Sequence, residues 1–286
     1  MRPPYGRVTP SIPWADMLPI RDANPSHRTP IVTVSLIALN LVAFLWWQPT
    51  FAAGPDAPVE QQLFYLCEAA IPWEIANGSD LAGGGPAASA ALDELYGDGA
   101  GDVVRAELDE RCPDKSPWLS VLVAMFLHGG WLHLVGNLLF LWIFGDNVES
   151  RLGHLPYLMF YVLGGVAAFG LQYALDTSSA IPTLGASGAI AAVLGAYLFL
   201  YPHARVTTLV IFFFITVVEL PAVIVLGLWF ALQFFSGVGE LGSEVNGGVA
   251  YWAHVGGFAF GLAVAALTLR RRSNHRPIAP PRPDRF

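Results

Sequence analysis

From Leu155 to Leu175 the chain runs 21 residues without a charged side chain. At about 1.5 Å of helical rise per residue, such a run crosses roughly 30 Å of hydrocarbon. Comparable apolar blocks recur along the 286 residues, and the whole composition agrees with them: 54% of residues are hydrophobic and 13% charged. An ordinary soluble domain carries about 25% charged residues, so this chain lacks the polar surface to cover a water-facing globule. The expected fold class is all-α, a polytopic membrane protein of six spanning helices with a long loop after the first.

Hydropathy places the spans at Ile31 to Trp47, Trp131 to Phe144, Leu155 to Leu175, Gly185 to Tyr201, Pro221 to Phe235 and Val249 to Leu269. Residues 117–145 would make a helix of about 44 Å if continuous. Gly129-Gly130 offers a break, and Trp118 to Leu127 is expected to be partly embedded or interfacial. Residues 206–235 are again too long for one upright helix and are interrupted by Glu219 and Pro221. The aromatic "IFFF" segment before them is expected to lie shallow or re-entrant. The domain reading is a leader over 1–30, a membrane domain over 31–269 containing an acidic loop at 51–116, and a disordered tail over 270–286.

The net charge of −7 is unevenly placed, with 13 of the 22 carboxylates lying between Asp56 and Asp114. That concentration reads as an exposed acidic loop. No basic patch interleaved with aromatics suggests nucleic acid, and no glycine loop has the spacing that cradles phosphate. The proline-rich leader resembles neither a cleavable signal nor an amphipathic transit sequence. If it is cytosolic, twelve of the 15 basic residues fall on the inside and only Arg105, Arg111 and Lys115 outside. The positive-inside rule then expects a cell (inner or plasma) membrane protein with both termini cytoplasmic and the site opening to the other side. Cys67 and Cys112 share the acidic loop. Two free thiols and a disulfide both remain open, and a bridge would stabilise the loop by about 4 kcal/mol on the chain-entropy model.

Polar side chains inside spans are costly, so each needs a reason. The candidates are Asn40, His128, His133, Asn137, Ser187 and His254. With the expected topology, His133, Asn137, Ser187 and His254 reach one depth near one membrane face. A lone serine among Gly and Ala is commonly a packing residue, and "GASGA" departs from the G-x-S-x-G elbow at Ala189. A lone histidine is commonly a hydrogen-bonded core residue. Here, however, Gly188, Ala192 and Gly195 make one smooth face and Ala253, Gly257 and Gly261 another. Two such faces allow helices to approach closely and bring Ser187 within reach of His254, which in neutral form can act as a base. His133 and Asn137, four residues apart, share a helical face and offer donors for an oxyanion, as does the Ser187 amide. A metal site from His128, His133 and His254 is the competing reading, although no H-E-x-x-H and no intramembrane carboxylate accompanies them. No acidic third member is evident beyond Asp176 at the end of a span.

"HGGWLHLVGN" (His128, His133, Asn137), "ESRLG", "GASG" and "AHVGG", in this order on these helices, resemble the rhomboid family of intramembrane serine proteases, in its bacterial form. The resemblance implies a six-helix bundle in which Ser187 is nucleophile and His254 general base. It implies an oxyanion hole of His133, Asn137 and the Ser187 amide, with His128 supporting its loop, and Gly185 and Gly257 as packing residues. Glu149 and Arg151 match a structural E-x-R pair. It implies transmembrane proteins as substrates, the lipid bilayer as surroundings, no cofactor and no metal. Lateral access past the fifth span would make Trp229, Phe230 and Phe234 gate residues. Ala191 stands where some relatives place an aromatic against the catalytic histidine. The alternative is a non-catalytic relative that binds transmembrane helices, and a transporter is a more distant rival.

Overall fold

The computed structural model describes residues 17–24, 26, 28–211, 215–241 and 249–268. Residues 1–16 of the expected 1–30 leader, and the whole of the 270–286 segment read above as a disordered tail, lie outside them. Strand β1 (Met17–Asp22) comes first. Helix α1 (Ile31–Val42) follows and continues as a wider π-helical turn over Ala43–Trp47. Next come α2 (Ala57–Glu68), α3 (Pro72–Asn77), α4 (Gly85–Tyr96) and α5 (Gly101–Arg111). Helix α6 (Pro117–Val123) runs into a 3₁₀ turn, and α7 (Trp131–Leu152), α8 (His154–Leu175) and α9 (Ser187–Leu200) complete the first half of the bundle. Strands β2 (Arg205–Ile211) and β3 (Ile215–Pro221) lead to α10 (Ala222–Glu240) and α11 (Tyr251–Thr268).

The fold is thus mostly helical, as expected. By length and apolarity α8, α10 and α11 are each able to cross a membrane. A fourth crossing arises if α6 and α7, bent 80° apart, count as one broken span; α1 and α9 are apolar but shorter. The bend falls at Gly129-Gly130. Gly130 adopts φ 155° and ψ 175°, a region essentially confined to glycine.

Small residues set the centre of the bundle. Helix α9 is buried along almost its whole length and packs chiefly on α11. An added methyl at Gly257 would overlap the Gly188 carbonyl, one at Gly261 the Ala192 carbonyl, and one at Gly195 the Phe258 carbonyl. The two backbones therefore touch, which only this run of Gly and Ala permits. At the far end of the bundle, Glu149 accepts from the Val32 and Thr33 amides at 2.9 and 2.8 Å and from Thr33 Oγ1 at 2.7 Å. Those amides have no partner within α1, so one carboxylate supplies the cap that Pro30 cannot.

Two regions depart from the sequence expectation. The segment before α10 contains two strands, β2 and β3, which pair antiparallel with Thr208 opposite Val218 and Ile211 opposite Ile215. Strand β1 adds to β2 to give the order β1-β2-β3, so the class is helical with one small sheet. Residues 212–214, most of the aromatic segment expected to lie shallow or re-entrant, lie outside the described residues. The cause is composition, because "RVTTLVI" and "ITVVELP" are rich in β-branched residues, which favour extended backbone. Asp22 fastens the sheet to the bundle, accepting from Tyr197 OH at 2.6 Å and Asn147 Nδ2 at 2.9 Å.

The acidic segment is also more than a loop. Helices α2 to α5 enclose their own apolar cluster, built on Leu63, Leu66, Ile71, Trp73, Leu81, Leu92 and Leu108. Cys67 and Cys112 are joined by a disulfide within it. Among its carboxylates Glu74 is the one fully buried, and it pairs with Lys115 at 2.7 Å. Burial pushes the Glu74 carboxyl up and the Lys115 ammonium down, and each opposes the other's shift by its charge. This cap sits at the end of the bundle opposite the sheet.

Candidate active site

Ser187 is the first residue of α9, so its backbone N–H has no acceptor within the helix. The turn delivering it needs Gly185, whose φ is 125° and where an added Cβ would lie 2.8 Å from the His133 ring. The approach is pinned by main-chain bonds: Thr183 N–H donates to Ala70 at 2.7 Å, and Gly185 N–H to Ala124 at 2.8 Å. His254 lies in the first turn of α11. The close contact of α9 and α11 brings His254 Nε2 to 2.8 Å from Ser187 Oγ. That is a hydrogen-bond distance between a hydroxyl and an imidazole 67 positions apart in the chain.

The other nitrogen, Nδ1, lies 2.7 Å from Oε1 of Gln233 on α10. Sequence reading missed Gln233. The signal was available, since a glutamine in "LWFALQFF" is as costly inside a span as the residues that were singled out. Asp176, the only acidic group considered there, instead accepts from Ser178. One face of the imidazole is flanked by Trp229, with ring centroids 5.8 Å apart. Trp229 thus supplies from α10 the aromatic neighbour that Ala191 does not.

His133 and Asn137 lie one turn apart on α7, and the His133 ring stands against Gly185. His133 Nδ1 accepts from Gly129 N–H at 3.2 Å. A neutral His133 then carries its proton on Nε2, the side turned towards Gly185. Asn137 Nδ2 is buried without a hydrogen-bond acceptor among the described residues. The Ser187 amide at the start of α9, the His133 ring against Gly185 and the unpaired Asn137 amide one turn along α7 are donors of the kind that can receive a developing oxyanion. His128 is fully buried 5.1 Å from the His133 ring. Its carbonyl accepts from Gln48 Nε2 and Tyr65 OH, both at 2.9 Å, and its amide donates to Gln48 Oε1 at 3.0 Å. A cavity of about 30 Å³, bordered by Met125, Ala168, Gly185, Ser187 and Ala253, opens behind the serine. A water molecule needs about 10–15 Å³ on that measure, so the space suffices. Among the described residues, no three His, Cys, Asp or Glu side chains converge as a metal site.

Of the remaining sequence candidates, Phe230 stacks on Phe258 at 4.6 Å. Phe234 is exposed and meets Trp252 edge-on at 5.9 Å. Asn40 is buried and hydrogen-bonds the Leu36 carbonyl, away from the serine.

The fold and the site define a helical membrane protein built around a hydrogen-bonded serine and histidine. The chain belongs to the rhomboid family, which includes serine proteases: the Rhomboid domain model matches residues 115–271. It is 32% identical over 149 residues to Rhomboid protein 1, mitochondrial, of Saccharomyces cerevisiae, a match covering 50% of this chain and 40% of that protein. It is 31% identical over 140 residues to Presenilin-associated rhomboid-like protein A, mitochondrial, of Danio rerio, covering 46% of this chain and 37% of that protein. It is also 37% identical over 73 residues to Rhomboid-like protein 11, chloroplastic, of Arabidopsis thaliana, covering 26% of each chain. The chain thus spans about two fifths of the length of the first two relatives. Their names overturn the expected cell-membrane location with cytoplasmic termini, and the bacterial form of the family with it. They point to a mitochondrial membrane instead. The physical reason is that basic residues report which way a chain crosses a bilayer, not which bilayer it crosses.

Proposed function

We propose that this chain is an intramembrane serine endopeptidase that cleaves transmembrane segments of single-pass membrane proteins. The observation carrying the reading is the 2.8 Å approach of His254 Nε2 to Ser187 Oγ inside an apolar bundle. Ser187 attacks the scissile carbonyl while His254 takes its proton, giving a tetrahedral intermediate that collapses to an acyl-enzyme. His254 returns the proton to the leaving amine, and water activated by the same imidazole releases the acid. His133, Asn137 and the Ser187 amide receive the oxyanion. The donors stand at the cap end of the bundle, so cleavage falls near the membrane face on that side. A substrate helix must unwind there, because its own hydrogen bonds shield its carbonyls. Six spans, with α1 and α9 as the short ones, complete the proposed topology, and substrate reaches the site laterally beside α10.

The test is cleavage of a model single-pass substrate by reconstituted wild type, Ser187→Ala and His254→Ala. Each variant is expected to lose activity by about 10³-fold or more. Wild-type reaction with a fluorophosphonate, abolished in Ser187→Ala, is expected alongside. Equal cleavage by Ser187→Ala would overturn the nucleophile. Absence of both cleavage and labelling in wild type would favour the reading in which the chain only binds transmembrane helices.

A further inference from the structure

An imidazole can serve as base at Nε2 only if its proton sits on Nδ1, and nothing in the Ser187–His254 pair itself enforces that. Gln233 does. Its Oε1 lies 2.7 Å from Nδ1, and an amide oxygen only accepts, so the bond requires the proton to be there. The Gln233 side chain is itself buried, at 3% exposure, and is not free to turn away into water. Trp229, one helical turn earlier on α10, lies against the imidazole ring. The histidine is thus gripped at one edge and one face by a single helix.

We propose that Gln233 is the positioning residue of the site, holding His254 in the Nδ1-protonated tautomer with Nε2 aimed at Ser187. The proposal rests on the Ser187–His254 reading and deepens it. During attack the serine proton moves to Nε2, the imidazolium keeps its Nδ1–H on Gln233 throughout, and the Nε2 proton then leaves with the amine. Gln233 gains and loses no proton. It differs from the carboxylate of a triad in being neutral: it fixes geometry without adding a charge that favours the imidazolium. Because Gln233 and Trp229 share α10, a displacement of that helix removes both restraints together. Chemistry then requires α10 in place, whatever its position while substrate arrives.

The experiment compares Gln233→Leu and Gln233→Glu with wild type and Ser187→Ala in proteoliposomes, measuring kcat, KM and fluorophosphonate labelling across pH. Gln233→Leu is expected to lower kcat and labelling rate about tenfold or more, a part of the roughly 10²–10⁴ that a positioned base supplies. KM should stay within about twofold. Gln233→Glu keeps the shape and offers only acceptors, but adds a negative charge that favours the imidazolium. Its rise of rate with pH should therefore move to higher pH by about one unit or more. Should the leucine variant fail to fold, the pH profile of the glutamate variant decides alone. Wild-type kcat in Gln233→Leu, or an unshifted profile in Gln233→Glu, would overturn the proposal. If Ser187→Ala is inactive while Gln233→Leu is normal, only the role of Gln233 falls. If Ser187→Ala cleaves, the dyad falls and takes this inference with it.

Discussion

Gly257 meets the Gly188 carbonyl, and Gly188 follows Ser187 directly, so the helix contact falls at the residue next to the proposed nucleophile. Gly257→Ala should push α9 from α11 and lengthen the Ser187–His254 bond. The expected result is a thermal midpoint lowered by the equivalent of about 1–3 kcal/mol. Cleavage should fall further than stability alone explains. A variant that melts like wild type and cleaves at the same rate would show that the helices yield without cost. Much of the site was legible at this scale, because Ser187, His254, His133 and Asn137 are polar residues in apolar surroundings and their spacing puts them at one depth. Gln233 obeys the same rule, but a neutral amide carries no charge to mark it as a partner for histidine. What no spacing could give was the pairing itself: Gln233 and His254 meet through the packing of α10 on α11, not through local sequence.

Among the elements, the cap of α2 to α5 shows how a charge-rich segment can still fold. Its apolar positions are few but face one another, and the buried Glu74–Lys115 pair joins α3 to the chain leaving α5. Lys115 also donates to the Leu66 carbonyl at 2.7 Å. Lys115→Met strands a buried carboxyl and is expected to destabilise the cap by about 3–5 kcal/mol. Glu74→Gln combined with it should recover part of that loss, as circular dichroism melts in detergent would show. Identical melts for the single and double variants would mean the pair carries no coupling. The sheet teaches the opposite lesson about reading elements. The break before α10 was legible at Glu219 and Pro221, but hydropathy alone does not tell an apolar β-branched run from a short apolar helix, so the strands β2 and β3 went unread. The pairing of β1 with β2 joins opposite halves of the chain and left no local trace.

Across the whole molecule, the ordered motifs located the helical bundle and its centre, while the membrane it occupies was not written in the charges. The proposed lateral path runs beside α10, whose outer face presents Phe234 against Trp252. Phe234→Ala should loosen that contact and raise the cleavage rate of a transmembrane substrate several-fold. The rate of fluorophosphonate labelling should hardly change. Equal acceleration of both reactions would place the effect in the chemistry and not on the path. The opposite end of the site is built differently. Thr183 N–H reaches back to Ala70, and Trp73 N–H to Ser179, so the strand of chain leading into Ser187 is stitched by its backbone to the disulfide-closed cap. The Thr183 and Trp73 amide protons exchange with solvent only when the stitch each one makes has opened. The lifetime of the ground under the serine is set from outside the bundle, by a unit that contributes no group to the chemistry.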